Sequence, residues 1–469
     1  DVRPFAFKNE IQPVLDRKCT GCHNGNNELP DFSDKKEAGY RNLSGAYKAL
    51  HPYVRRPGPE SDLHVLSPMD YHASTSELIQ VLEKGHHGVQ LNQEEWDRLH
   101  TWIDLNVPYH AHFAPPEYCK YDQEDRRQEL ANQFYGYKVD LETELKMAEY
   151  MRQLQDTVPV MPQRSVKKKQ KNIKLDNWPM SNTQAQSSQS DLGDIRKTID
   201  LGNGMVLELV KIPAGEYVKT NDKGEAQGIE KVEKAYWMAQ FEVTNAQFTR
   251  FFPEHDSRFI AQFWKDHTSK GYPINYPELP VARVSWEEAA AFCEKLSAET
   301  GMTFALPTEA QWEWACRAGS DQALWFGDTQ SDFSPYANLA DEKLQDFAVI
   351  GVDPQPMGKK HHLFKYYNFI PQAPFNDGQK IVTKPGQYQS NSWGLYDMHG
   401  NVAEWVQDDY SPVTATSNKA SIIKPGERKI VKGGSWRDRP HRSTVSGQVG
   451  YYPWQKVVTV GFRVVMTEE

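Results

Sequence analysis

Apolar residues recur at helical spacing in three stretches near the start of the chain. In FKNEIQPVLDRK (7–18), Ile11, Val14 and Leu15 share one face, which predicts a helix running into CTGCH at 19–23. STSELIQVLEKG (74–85) predicts a second helix, with Ser74 and Glu77 spaced as a capping box and Gly85 as its stop. NQEEWDRLHTWIDLNVP (92–108) predicts a third. Asn92 and Glu95 cap it, Trp96, Leu99, Trp102 and Ile103 form its buried stripe, and Pro108 follows its end. Residues 1–115 therefore read as one largely helical block, and 116–155, with alternating charges, as an exposed helical extension.

The pattern then changes twice. Residues 156–195 are polar and poor in core formers, which predicts a linker. Its basic run, Lys167 to Lys174, reads as a solvated stretch. From 196 to 469, short β-like runs (MVLELVKI, YWMAQFEVT, KIVKGGSW, VGFRVVM) alternate with long loops containing Gly, Asn and Pro. Helices are expected only over Trp286–Ala298 and Thr308–Ala318. The fold class expected is multidomain: an all-α domain followed by an α+β domain rich in irregular loops. Ordered loops of this length usually carry function or are held by a metal.

Composition narrows the function classes. The 469 residues carry a net charge of -9, so no domain-wide basic excess is available to bind nucleic acid. No run of about 18 apolar residues predicts a transmembrane helix. The chain starts at Asp1 without Met or an apolar leader, which fits a processed start and equally a trimmed one. Five cysteines, Cys19, Cys22, Cys119, Cys293 and Cys316, are too few for a disulfide scaffold. Cys293 and Cys316 lie on apolar helix faces, so a disulfide and two buried thiols are both open readings.

CTGCH has the C-x-x-C-H spacing of c-type haem attachment: two thiols add to the haem vinyl groups and the adjacent His23 ligates iron. Zinc would need four ligands, and no second cysteine pair exists. A redox dithiol is expected within a βαβ pattern, whereas the surroundings here are helical. Haem is the expected occupant. The sixth iron ligand is sought among His64, Met69, His72, His86 and His87. His86, in the EKGHHGVQL loop between two helices, is favoured; Met69 would give a higher potential.

CTGCH together with ELIQVLEKGHHGVQLNQEEWDRLHTWIDLNVPYHAHF resembles the cytochrome-c-like domain related to the C-terminal part of the hydrazine synthase alpha subunit. The resemblance covers about residues 5–115. It implies a mono-haem, His-ligated electron-transfer or structural module of exported multidomain proteins, and no hydrazine chemistry.

Further blocks stand in order: GNGMVLELVKIPAGEYVKT, YWMAQFEVTNAQFTRF, PVARVSWEEAAAFCEKLSAETGMTFALPTEAQWEWACRAG, WFGD, YAN, SNSWGLYDMHGNVAEWVQDDY, VKGGSWRDRP and VGFRVV. Together they resemble the sulfatase-modifying-factor domain, the family of the formylglycine-generating enzyme. The local chemistry reads as scaffold: Thr308 caps a helix, Glu309 suits its positive end, and Trp312 with Ala315 faces the core. Gly400 and Asn401 form a turn before a strand that buries Trp405.

The resemblance implies a variant of the C-type-lectin-like fold and two structural calcium sites. One would use Asn338, the Leu339 backbone, Asp377 and the Gln379 backbone; the other Asn391 with backbone oxygens of Ser392, Gly394 and Tyr396. It also implies copper(I) held by two cysteines five residues apart after GGS. Here GGSWRDRPHRSTVSG places Asp438 and Ser443 at those positions, and neither is a soft ligand. Copper oxidase chemistry is therefore not expected. Asp438 with His441 could take another metal, but an ion-pair network of Arg437, Asp438, Arg439 and Arg442 is the plainer reading. GYYPWQ (450–455) would add aromatic surface nearby.

The function expected is an exported, periplasmic, outer-membrane-associated or extracellular mono-haem protein. Its second domain would be a non-catalytic binding or assembly module, facing a redox partner or an envelope protein complex. Alternatives are a haem-linked oxidase or oxygenase and a calcium-stabilised carbohydrate- or peptide-binding protein.

Overall fold

The computed structural model describes residues 5–25, 29–34, 43–54, 71–109, 132–134, 136, 173–221, 224–260, 271–341, 343, 349–350, 353–356, 375–410 and 428–468. These fall into two compact units, one from residues before 137 and one from 173 onward. The exposed helix expected over 119–154, together with Cys119, His64 and Met69, lies almost wholly outside the described residues.

In the N-terminal unit a π-helical turn, Phe7–Ile11, leads into α1 (Gln12–Lys18). Ile11, Val14 and Leu15 are buried, as their spacing requires. Ser44 caps α2 (Gly45–Leu50). The second predicted helix begins later than expected. His72, not Ser74, caps a 3-10 turn at Ala73–Thr75, and α3 (Glu77–Glu83) starts after Ser76 without a side-chain cap. The His72 ring accepts the Ser74 amide and so supplies a local alternative to the helix, which the Ser-x-x-Glu spacing does not reveal. Gly85 ends α3 at φ 85°, in the left-handed region glycine tolerates.

The Asn92–Glu95 capping box opens α4 (Gln93–Asp104) as predicted. Leu99, Trp102 and Ile103 are buried and Trp96 packs partly against them. Phe7 and Tyr47 pack their rings against Trp102, Tyr109 packs on both of them, and Trp102 donates its indole N–H to the Pro108 carbonyl. The unit is thus a small helical core whose first helix ends at CTGCH.

In the C-terminal unit the helices are α5 (Asn182–Ser190), α6 (Asn245–Thr249), α7 (Trp286–Thr300) and α8 (Glu309–Arg317). The longer strands are β1 (Arg196–Gly202), β2 (Met205–Ile212), β3 (Gly215–Thr220), β4 (Ala226–Val232), β5 (Tyr236–Ala239), β6 (Thr303–Ala305), β7 (Ala403–Asp409), β8 (Lys429–Lys432), β9 (Val449–Tyr451), β10 (Val460–Gly461) and β11 (Val465–Thr467). One sheet has the order β1-β2-β5-β11-β6 and a second the order β9-β8-β7-β10. β3 and β4 form a separate hairpin. Helix and sheet are mixed and joined by long loops, as the α+β pattern predicts.

The linker reading of 156–195 does not hold for its second half. Trp178 and Ala185 are buried in the core with Trp312, Trp314 and Trp393. Trp393 donates its indole N–H to the Ala185 carbonyl at 2.9 Å, and Gln189 donates to the Trp393 carbonyl at 2.9 Å. A capping box of Ser181 and Gln184 opens α5. The segment is polar because its side chains cap and bridge; its few apolar residues suffice to anchor it.

Charge is also buried here. Lys432 is fully enclosed, 2.7 Å from Glu313 and 3.5 Å from Glu309. Arg463, equally enclosed, grips both carboxylate oxygens of Glu404, at 2.6 and 2.7 Å. Buried charges persist only when paired and hydrogen-bonded in this way.

Candidate functional site

The CTGCH segment is a turn hung from the end of α1. Cys19 and Thr20 donate their N–H groups to the Leu15 carbonyl, while Cys22 and His23 donate to the Cys19 carbonyl at 3.0 and 2.9 Å. Cys22 is exposed, and burial pushes the Cys19 thiol up to about 12. The chain then returns: Phe32 donates its N–H to the His23 carbonyl and stacks its ring on the imidazole at 4.6 Å. His23 Nδ1 lies 3.1 Å from the Pro30 carbonyl oxygen. A carbonyl accepts, so Nδ1 carries the proton in the neutral ring and Nε2 is the nitrogen left for a metal. Burial holds His23 below the usual histidine range, against the Pro30 hydrogen bond, which keeps the ring in its ligating neutral form.

The structure brings together His23 and His86, with ring centroids 6.1 Å apart and planes 30° apart. His87 sits edge-on against His86 at 4.6 Å. His72 is engaged elsewhere: Nδ1 meets the Ser74 hydroxyl at 2.8 Å, and Nε2 lies 3.5 Å from Asp104.

At the copper-ligand positions, Asp438 accepts from the Ser435 amide and hydroxyl at 2.9 and 2.6 Å and lies 3.7 Å from Arg442. Ser443 is fully buried, and its carbonyl accepts the Nδ1 proton of His399 at 2.6 Å. His399 Nε2 accepts the Trp325 amide N–H at 3.0 Å, which fixes the tautomer. Burial pushes His399 down to about 4, so it is neutral at physiological pH. The Cys316 sulfur lies 3.5 Å from the same nitrogen; burial raises that thiol far above its ordinary value, so it is not a thiolate nucleophile. Cys293 and Cys316 are both free, buried in different core clusters. Among the described residues, no three His, Cys, Asp or Glu side chains converge as a complete metal site, at Asp438 and His441 or elsewhere.

The first set of expected calcium oxygens gathers around Asp377. Asp377 accepts amide N–H groups from Leu339 and Gln379 at 2.8 Å each, and its own amide donates to Asp341 at 2.7 Å. Burial, reinforced by the neighbouring Asp341 carboxylate, pushes Asp377 up to about 7, the condition a bound divalent cation would relieve. Asn338, buried beside it, bonds the Ile381 carbonyl and Asn401. Gly400 is required here, because a Cβ on it would lie 2.1 Å from the Asn338 carbonyl oxygen.

The oxygens of the second set also take hydrogen bonds. The Asn391 side-chain Oδ1 accepts the Trp393 and Leu395 amides, the Gly394 carbonyl accepts from Gln240, and the Tyr396 carbonyl accepts from the Arg463 guanidinium at 2.9 Å. Ser392 turns its hydroxyl to Asn182 instead. Nearby stands a centre the sequence reading missed: Glu242, Asp397 and Glu404 are all buried, with Arg463 among them. Asp397 is 3% exposed, and its Oδ1 has no hydrogen-bond partner among the described residues. Glu242 is raised well above its ordinary value by burial and by Asp397. Two acidic side chains thus remain buried beyond the one that Arg463 neutralises. The only sequence signal was that Glu242, Asp397 and Glu404 sit inside motif blocks at positions buried by their neighbours.

Residues 200–468 match the family model described as the sulfatase-modifying factor enzyme 1-like domain. The chain belongs to this family. The inactive C-alpha-formylglycine-generating enzyme 2 of Bos taurus is 26% identical over 314 residues, covering 56% of this chain and 90% of that protein. The formylglycine-generating enzyme of Mus musculus is 25% identical over 287 residues, covering 50% of this chain and 69% of that protein. Among solved structures, PvdO from Pseudomonas aeruginosa aligns with 58% of this chain and 98% of its own, at 21% identity and a TM-score of 0.41. The sulfatase-modifying-factor domain thus has relatives named both as enzymes and as inactive. No described helix is long and apolar enough to cross a membrane.

Proposed function

We propose that this chain is an exported mono-haem c-type protein whose sulfatase-modifying-factor domain is a non-catalytic binding or assembly module. Cys19 and Cys22 would hold the haem covalently and His23 would ligate its iron, supplying one-electron redox chemistry when the group is bound. The observation that carries the reading is the His23–Pro30 hydrogen bond, which leaves Nε2 for a metal at the residue following the second cysteine. The chain's own contribution is positional: α1 presents the thiols on one turn, and Phe32 fixes the imbedded ring face.

In the second domain, Asp438 and Ser443 cannot supply the soft thiolates that copper(I) needs, and both are committed to local hydrogen bonds. The motif blocks then serve as scaffold, with calcium at Asp377 and at the Glu242–Asp397 centre compensating buried carboxylates. Haem attachment through two thioethers belongs to exported bacterial proteins, so we place the chain in the periplasm, on the outer membrane or outside the cell. Its partner would be a redox protein or an envelope complex. A half-buried Tyr452 and an exposed Trp454, with parallel rings 5.5 Å apart, also favour a sugar- or peptide-binding role for that module. A haem-stained denaturing gel of the exported chain tests the reading: a band that disappears in Cys19→Ser/Cys22→Ser supports it, and an unstained parent band overturns it.

A further inference from the structure

We infer that Glu95 sets the potential of the iron carried by the CTGCH turn, acting as a fixed negative charge that favours the oxidised state. The inference rests on the covalent-haem reading above and names a control of that same site.

One carboxylate joins two helix ends. Glu95 closes the capping box of α4: its Oε2 accepts the Asn92 N–H at 2.9 Å, and its own N–H donates to the Asn92 side chain at 2.9 Å. The same side chain reaches α1. Arg17 donates to Oε1 at 3.2 Å, and the Lys18 ammonium lies 3.5 Å from Oε2. Cys19 is the next residue, and its N–H and that of Thr20 bond back to the Leu15 carbonyl, so the CTGCH turn continues the helix that Glu95 grips. Glu95 is only 2% exposed. A glutamine here would close the capping box equally well, whereas a buried carboxylate costs free energy unless cations pair with it. The cap therefore does not need the negative charge, whose partners are the two cations that precede the first haem cysteine.

That charge lies close to the attachment point. Burial, with the Glu95 carboxylate next, pushes the Cys19 thiol up to about 12. The same proximity acts on iron. Oxidised iron carries one more positive charge than reduced iron, so a nearby carboxylate stabilises the oxidised state and lowers the potential. A second buried ion pair supplies the comparison. Glu10, 3% exposed, lies 3.5 Å from Arg98 and so ties the turn before α1 to α4. It stands well before Cys19 in the chain, roughly 13 Å along the helix axis, where its charge acts more weakly. Glu95 is thus a positioning residue by its bonds and an electrostatic one by its place.

The test measures the midpoint potential of the full, haem-loaded chain. Glu95→Gln keeps the cap and removes the charge, so the potential should rise, and by more than in Glu10→Gln. Arg17→Gln/Lys18→Gln leaves the Glu95 charge without these two cations, so the potential should fall. Opposite signs separate charge from damage, because a loosened turn would move both variants the same way. A haem-loaded Glu95→Gln chain at the wild-type potential, or shifted no more than Glu10→Gln, overturns the inference alone, as do shifts of the same sign in Glu95→Gln and the double variant. Should Glu95→Gln load no haem, the double variant decides by the sign of its shift. A wild-type chain that carries no covalent haem overturns the parent reading and this inference with it.

Discussion

His399 donates its Nδ1 proton to the Ser443 carbonyl at 2.6 Å, tying the HGN turn to a position where the formylglycine-generating family carries copper. The other nitrogen accepts the Trp325 amide, so the ring cannot take a second proton without breaking that bond. An unfolded histidine protonates near pH 6.5, whereas burial delays His399 to about 4. Between these values the unfolded state binds more protons, so this residue removes stability as pH falls from 6.5 to 4. The loss reaches roughly 3 kcal/mol at the acid end. Urea midpoints at pH 7 and pH 5 should separate more for the wild type than for His399→Gln.

Asp377 titrates in the opposite sense. Burial and Asp341 raise it to about 7 in the folded chain, above its unfolded value. Without a cation, the folded state therefore loses stability as pH rises from about 4 to about 7. Calcium should cancel that loss, raising the melting temperature more at pH 8 than at pH 5. Asp377→Asn should remove much of the calcium response; an equal response at both pH values would contradict the assignment.

Trp178 packs against Trp314 at 5.7 Å and against Tyr217 at 6.2 Å, although it lies before the stretch matched by the family model. Trp178→Ala should cost about 3–5 kcal/mol, the usual loss for a large buried aromatic. A chain starting at 196 should unfold at lower denaturant than one starting at 173. Equal midpoints would show that the segment is a tether.

Asp438 is held by Ser435, and Ser443 is buried. A peptide bearing a sulfatase cysteine, incubated with the protein and copper(I), should keep its mass. A shift to the formylglycine product would contradict a non-catalytic second domain.

Sequence legibility followed the range of the interaction. The Asn92–Glu95 capping box and the Thr308 cap were readable, as was the turn at Gly400 and Asn401. Ser74 misled because the competing acceptor was a histidine ring two residues before it. The segment from 173 looked like a linker because its polar side chains bond to residues such as Trp393, about 200 positions away. The Lys432–Glu313 and Arg463–Glu404 pairs are likewise separated by 119 and 59 residues, so burial of those charges leaves no local signal. The backbone oxygens of Gly394 and Tyr396, in the second calcium set, take hydrogen bonds from Gln240 and Arg463, which only the fold brings there.

The most direct test of the account is the intact mass of the full chain, produced in a bacterium that exports it and attaches c-type haem, measured reduced and denatured. The account predicts a mass exceeding that of the polypeptide by one haem, lost when Cys19 and Cys22 are replaced by serine. A mass equal to the bare polypeptide, from cells that load a control cytochrome, would contradict it.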